Sequence, residues 1–237
     1  MIIGNEGARH SLEEQKSNLK NYYLENKQSL LRDFDKTVKK FGRKALLMHF
    51  DAGSTNTIIK EIRYRFEGLI PKLPYVGGKR SAWTTDLVQS AWALALYRTL
   101  QTLGLNADQT GKILFEVINL RLYSYPKVLR KLFGRWTFSQ VSMRKMKKQA
   151  HESHQRFFPD GWVWTYKRGD GKDFDFGYDV IECGLYKFFQ KEKAIELLPY
   201  LCQTEFLKSE ALGTGLTRMT TLAEGQTVCN FRSRNLK

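Results

Sequence analysis

Up to about residue 159 the apolar residues recur at helical spacing; beyond it they alternate as in strands. Ser11 and Glu14 have capping-box spacing and open a polar helix whose apolar stripe is Leu19, Tyr22, Tyr23, Leu30, Leu31, Phe34 and Val38. Gly42 breaks it before a short apolar segment, Ala45 to Phe50. Asp51-Ala-Gly-Ser-Thr reads as a loop, with Ser54 or Thr55 capping a helix that runs to about Gly68. Pro71, Pro74, Gly77 and Gly78 mark a loop that ends in Lys79-Arg80. The helix from about Ser81 to Leu103 is apolar on most sides, through Trp83, Leu87, Ala91, Trp92, Leu94, Leu96 and Leu100, and is expected at the centre of the core. Asn106 with Gln109 starts a further helix that ends before Pro126, and another is predicted from Ser139 to about Phe158.

Pro159-Asp160-Gly161 is a turn, and Trp162 to Tyr166 is rich in strand formers. Arg168-Gly-Asp-Gly reads as a hairpin turn. Phe174, Phe176, Tyr178 and Val180 alternate with Asp173, Asp175, Gly177 and Asp179, a strand with one buried face. A helix resumes after Gly184, is interrupted near Pro199, and stops at Gly213 and Gly215. Two more strands, Leu216 to Ala223 and Thr227 to Arg232, join through Glu224-Gly225. The expected fold class is α+β: an N-terminal helical layer packed on a small, mainly antiparallel C-terminal sheet of about four strands, all one domain over residues 1–237.

The 237 residues are 42% hydrophobic, enough for a substantial core, and no apolar run is long enough to span a bilayer. The opening MIIGNEGARH lacks the layout of a secretory signal. Three widely spaced cysteines do not build a disulfide framework, so a reduced cytoplasmic setting is expected. The net charge is +15, and residues 161–237 contribute little of it, with 11 basic and 10 acidic side chains. The surplus on residues 1–160 suits a nucleic acid, a membrane surface or an acidic protein, or simply a solvated exterior. It clusters at Lys127, Arg130, Lys131 and Arg135, and again at Arg144, Lys145, Lys147 and Lys148.

Cys183 falls where a strand ends and a helix begins, a position where backbone N–H groups lower a thiol's pKa. A buried small hydrophobe is the alternative. Cys202 lies on an apolar helix stripe and reads as core; Cys229 shares a strand face with Phe231 and points inward. His151 and His154 face one way on a helix, but no third metal ligand accompanies them, and His49 reads as a satisfied core histidine. Gly77-Gly78-Lys79-Arg80 before a helix could rest an anion, though without the spacing of a phosphate loop. No cofactor is expected.

Four segments are ordered in a recognisable way. They are Phe174-Asp-Phe-Gly-Tyr-Asp-Val-Ile-Glu-Cys-Gly, Leu198-Pro-Tyr-Leu-Cys, Thr217-Arg-Met-Thr-Thr-Leu-Ala-Glu-Gly and Cys229-Asn-Phe-Arg. With the loop Ile70-Pro-Lys-Leu-Pro-Tyr-Val-Gly-Gly-Lys-Arg, the chain resembles the L-2-amino-thiazoline-4-carboxylic acid hydrolase family over most of residues 65–235. It departs from the family pattern at Asn230 (usually Asp), Met219 (commonly Thr) and Gln226 (usually Gly).

The resemblance implies hydrolysis of a small cyclic amidine or related C–N/C=N heterocycle bearing a carboxylate. Its matched motifs offer Cys183 as nucleophile or polar wall, Glu182 or Glu224 as acid/base, and Arg218 as carboxylate anchor. Thr221, Cys229 and Asn230 are the further substrate-binding candidates. The partner implied is a small-molecule substrate, and the chain could pair as a homodimer. The rival readings are a non-catalytic binding or scaffold protein of the same fold, and a binder of nucleic acid or another anionic surface through the basic half.

Overall fold

The computed structural model describes residues 22–236. The expected capping box at Ser11 and Glu14 lies outside those residues. Helix α1 (Lys27–Thr37) widens into a π-turn over Val38–Gly42 and closes with one α-turn, Arg43–Leu46. Helices α2 (Ala52–Leu69), α3 (Ala82–Gln101), α4 (Ala107–Tyr123), α5 (Lys127–Thr137) and α6 (Gln140–Ser153) follow. Strands β1 (Val163–Arg168) and β2 (Phe176–Glu182) come next. Helices α7 (Gly184–Lys191) and α8 (Leu198–Leu212) then lead to β3 (Thr217–Arg218) and β4 (Cys229–Ser233). The strands form one antiparallel sheet in the order β1-β2-β4-β3. This is the α+β arrangement that the change of pattern near residue 159 predicts.

Helix α3 is the spine. Leu87, Ala91, Leu94, Ala95 and Leu100 are completely buried on it, against Phe34 of α1 and Ile62 and Phe66 of α2 in one core. Capping sets the neighbouring boundaries. Asn106 and Gln109 form a reciprocal capping box at the start of α4. Ser139 accepts the Ser142 N–H at the start of α6. Asp51 caps α2 by accepting from Gly53 N and Ser54 N at 2.8 and 3.0 Å, so the cap lies three residues before the expected Ser54. Gly213 supplies the left-handed conformation that ends α8.

Three further local expectations are corrected, and one helix appears where none was predicted. The strand expected over Leu216 to Ala223 shrinks to Thr217–Arg218. Asn230 Oδ1 takes the Met219 and Thr220 N–H groups at 2.8 Å each, and Thr221 then caps a short 3₁₀ turn, Leu222–Glu224. Helix α6 stops at Ser153 rather than near Phe158. The basic cluster from Lys127 is itself a helix, α5. His49 is a half-exposed partner of Glu116 at 2.8 Å, not a core histidine.

The Cys183-Gly184 pair has a packing reason. A Cβ on Gly184 would lie 2.6 Å from the Trp162 ring, so the start of α7 can rest on Trp162, just before β1, only with glycine there. Gly184→Ala should therefore destabilise the fold by about 1–3 kcal/mol. Asn106→Ala, which removes one half of the capping box, should cost about 1 kcal/mol. Urea unfolding of both variants checks the order; an unchanged midpoint for Gly184→Ala would contradict this packing.

Candidate functional site

Between the helical layer and the sheet lies a hollow of about 960 Å³. Its walls come from α1, α2, α3, α4, α5, β2, α8, β3 and β4, with Trp162 just before β1 and with Cys183 and Leu185 at the start of α7. Most of the lining is hydrocarbon or aromatic: Phe34, Trp83, Trp92, Leu96, Ile113 and Trp162 are typical. Against this background the polar groups stand out. Asp86 enters from α3, Arg121 from α4, Glu205 and Lys208 from α8, and Arg218 from β3.

Glu205 and Lys208 are one helical turn apart, with Nζ 2.6 Å from Oε1. Each keeps 37% of its side-chain surface accessible because it faces the hollow. Burial works against the charge on Lys208, but Glu205 and Asp86 outweigh it and its pKa is raised. Burial raises the pKa of Asp86; the charge of Glu205 adds to this and that of Lys208 opposes it. Asp86 therefore holds its proton more firmly than an isolated carboxylate would.

Arg218 is held by aromatic faces. Its guanidinium carbon lies 5.0 Å from the Phe206 ring centre and 5.3 Å from that of Phe231. Nη1 donates to the Cys202 carbonyl at 3.0 Å, while Nε is buried with no partner among the described residues. Tyr178 stacks on Phe231 at 4.7 Å, and burial lifts its hydroxyl far above the ordinary value.

All three cysteines reach this hollow. Cys183 precedes α7, and the N–H groups of Tyr186 and Leu185 favour its thiolate, as its position predicts. Burial is the larger effect and pushes the thiol up to about 11. Burial likewise raises Cys202 to about 12, with Cys183 adding to the effect. Cys229 is raised by burial too, although its Sγ accepts the Leu222 N–H at 3.2 Å. The expectation of a lowered thiol pKa at Cys183 is thus reversed, and Cys202 is a wall residue rather than plain core.

Of the seven residues singled out from the sequence, Cys183, Arg218 and Cys229 meet in the hollow; Glu182, Glu224, Thr221 and Asn230 do not line it. Glu182 is clamped by Lys187 at 2.5 Å and Arg156 at 2.8 Å, and these cations hold its carboxyl below the usual range. Glu224 is exposed on the 3₁₀ turn. Thr221 accepts the Ala223 N–H at 2.9 Å, and Asn230 fixes the chain at Met219 and Thr220. These two shape the turn beside the hollow.

Asp86, Glu205 and Lys208 escaped the sequence reading. Their signal was a charge inside a helix otherwise read as apolar, on α3 for Asp86 and on α8 for the pair. No group of three or more His, Cys, Asp or Glu among the described residues is arranged to hold a metal ion.

A helical layer packed on an antiparallel sheet defines an α+β protein, and the large apolar hollow with a few converging charges is its candidate site. The family follows from the sequence itself. The L-2-amino-thiazoline-4-carboxylic acid hydrolase model matches residues 91–233, more than half of the chain, and the protein belongs to that family. The match takes in all three cysteines, Glu205, Lys208 and Arg218, and stops short of Asp86. No curated protein and no solved structure matches the chain.

With all three thiols protonated near neutral pH, alkylation by iodoacetamide in the folded protein should be slow at pH 7. It should accelerate as the pH approaches 11, where Cys183 ionises. Mass-spectrometric labelling rates check this; rapid modification of Cys183 at pH 7 would contradict the effect of burial.

Proposed function

We propose that the protein hydrolyses a carboxylate-bearing heterocycle of the cyclic-amidine type inside this hollow. The observation carrying the reading is the grouping of Asp86, Glu205, Lys208 and Arg218 on otherwise apolar walls that also hold Cys183. Arg218 is the anchor for the substrate carboxylate: a fork pre-set between two rings, with one N–H unspent. Lys208 adds positive charge for the same anion.

Opening the ring requires addition to the C=N carbon, cleavage of one ring bond to that carbon, and a proton for the departing atom. Glu205 takes the proton of the attacking group. Asp86, kept protonated to higher pH by burial, returns a proton to the departing atom. Cys183 is the candidate covalent nucleophile. As a protonated thiol it attacks only while a carboxylate removes its proton, and water then releases the product. If water attacks directly, Cys183 remains a polar wall.

A five-membered ring with one carboxylate fills a small part of about 960 Å³. The preferred substrate therefore carries an apolar arm that covers the Trp83, Trp92 and Ile113 region of the wall. The same apolar excess, with the thiols held protonated, supports a second reading, that of a binding protein without turnover.

The test is hydrolysis of 2-amino-thiazoline-4-carboxylate and of an analogue with an alkyl arm. Glu205→Gln and Asp86→Asn should each lower kcat by about 10²–10⁴-fold. Arg218→Met should act mainly on KM for substrates bearing the carboxylate. Cys183→Ala abolishes turnover if the thiol attacks and spares it if water does. Tight binding of the armed compound with no hydrolysis by the parent protein would leave the binding reading in place of the enzymatic one.

A further inference from the structure

Helix α5 is built the wrong way round for a water-facing helix. Its inner side is glycine and cationic stems. A Cβ on Gly134 would lie 2.1 Å from the Leu212 carbonyl oxygen, so α5 rests directly on the end of α8. Arg130 donates to the Ala211 carbonyl at 3.1 Å, and the Lys131 chain crosses Gly213. Its outer side is hydrocarbon: Val128 is 69% exposed, Leu132 54%, Phe133 59% and Trp136 52%. Tyr125 just before the helix and Val141 just after it extend the patch. Singly exposed apolar residues are ordinary, but a continuous helical face of them marks a surface that meets something.

Charge says what it meets. From Val117 to His151 the chain has nine Lys and Arg and no Asp or Glu. Lys127 and Arg135 on α5, and Arg144, Lys145 and Lys148 on α6, are exposed. A two-fold pair of identical chains would bring this cationic surface against itself, which its own repulsion opposes. Nucleic acid would satisfy the cations but leave Val128, Leu132 and Phe133 against water. A bilayer with anionic headgroups satisfies both: acyl chains for the apolar face, phosphate and carboxylate groups for the cations.

The hollow opens on the same face. Among the residues lining it, those exposed to the outside are Tyr125, Leu129 and Phe133. We propose that α5 and the adjoining start of α6 dock the protein on membranes carrying anionic lipids, which sets the mouth of the hollow against the lipid surface. This docking face is defined by α5 and α6 whatever reaction the hollow performs. An amphiphilic ligand can then pass from the membrane to the hollow without crossing water.

Vesicle flotation with the full-length protein tests this. The protein should float with vesicles of phosphatidylcholine containing about 30 mol% phosphatidylserine and not with pure phosphatidylcholine, and high salt should release it. Leu132→Ser/Trp136→Ser, which replaces no residue lining the hollow, should weaken binding about ten-fold or more. Arg135→Gln/Arg144→Gln/Lys145→Gln should weaken it roughly a hundred-fold, about five-fold per cation removed. Brominated lipid should quench parent fluorescence more than that of Trp136→Phe. Thermal melts establish that the variants fold, and the charge variant retains the test if the apolar one does not. The proposal is overturned if the parent ignores anionic vesicles at low salt, or if both variants float as the parent does. It is equally overturned if the Leu132/Trp136 change dissociates a dimer while leaving vesicle binding intact.

Discussion

One positive charge among hydrocarbon, Lys208, has to satisfy two carboxylates. Moving an ion out of water costs several kcal/mol, and a partner repays this only when it is close and well placed. Glu205 meets the need from one turn away at 2.6 Å, and Asp86 contributes its field from the facing helix α3. Helices α3 and α8, two of those that wall the hollow, are thereby linked through charge. The same constraint keeps the hollow open. Collapsing the walls would press Asp86, Glu205 and Lys208 into apolar side chains that offer them no hydrogen bonds. The raised pKa values of both Asp86 and Lys208 have one meaning: protons are retained here to higher pH than at the surface. A carboxyl that holds its proton to higher pH inside an apolar space is a candidate for proton delivery.

Much of the scaffold was legible because strong periodicity leaves few solutions. The predicted helix from Ser81 to Leu103 appears as Ala82–Gln101, and the spacing of Asn106 and Gln109 marks the observed cap. The strand expected from the alternation around Tyr178 is present in the sheet. What stayed hidden is competition among polar groups. Asp51, Ser54 and Thr55 can each cap a helix, and nothing in their order selects Asp51. The Asn230 side chain replaces a strand ladder at Met219 and Thr220, which no alternation pattern announces. Helix α5 was obscured by its own inversion, since cations at core-facing positions conceal an apolar stripe.

The site was half legible for a similar reason. Cys183, Arg218 and Cys229 sit at ends of elements, where chemistry is conspicuous in sequence. Asp86, Glu205 and Lys208 lie within helices whose neighbours are apolar, and only the assembled hollow gives their charges a common direction. Cys183 shows how magnitude decides between effects that both operate. Two backbone N–H groups draw its pKa down, yet burial carries it to about 11. Position at a helix start is thus a reliable guide to the sign of one contribution and no guide to the sum.

The hollow and the outer face of α5 are consequences of one arrangement. Gly134 lets α5 lie so close on Leu212 that its larger side chains cannot turn beneath it. They project sideways, where Leu129 and Phe133 edge the hollow, or outward, where Leu132 and Trp136 meet the surroundings. A bulkier residue at 134 would lift the helix and widen the mouth, exposing the apolar wall to water. The close approach therefore limits how much hydrocarbon the hollow shows to solvent, while the outward face gathers what remains into a single patch. A hollow larger than a lone heterocycle, with its mouth edged by the same helix, fits both proposals: the enclosed wall would take an apolar arm, and the patch would lie beside the path by which such an arm arrives.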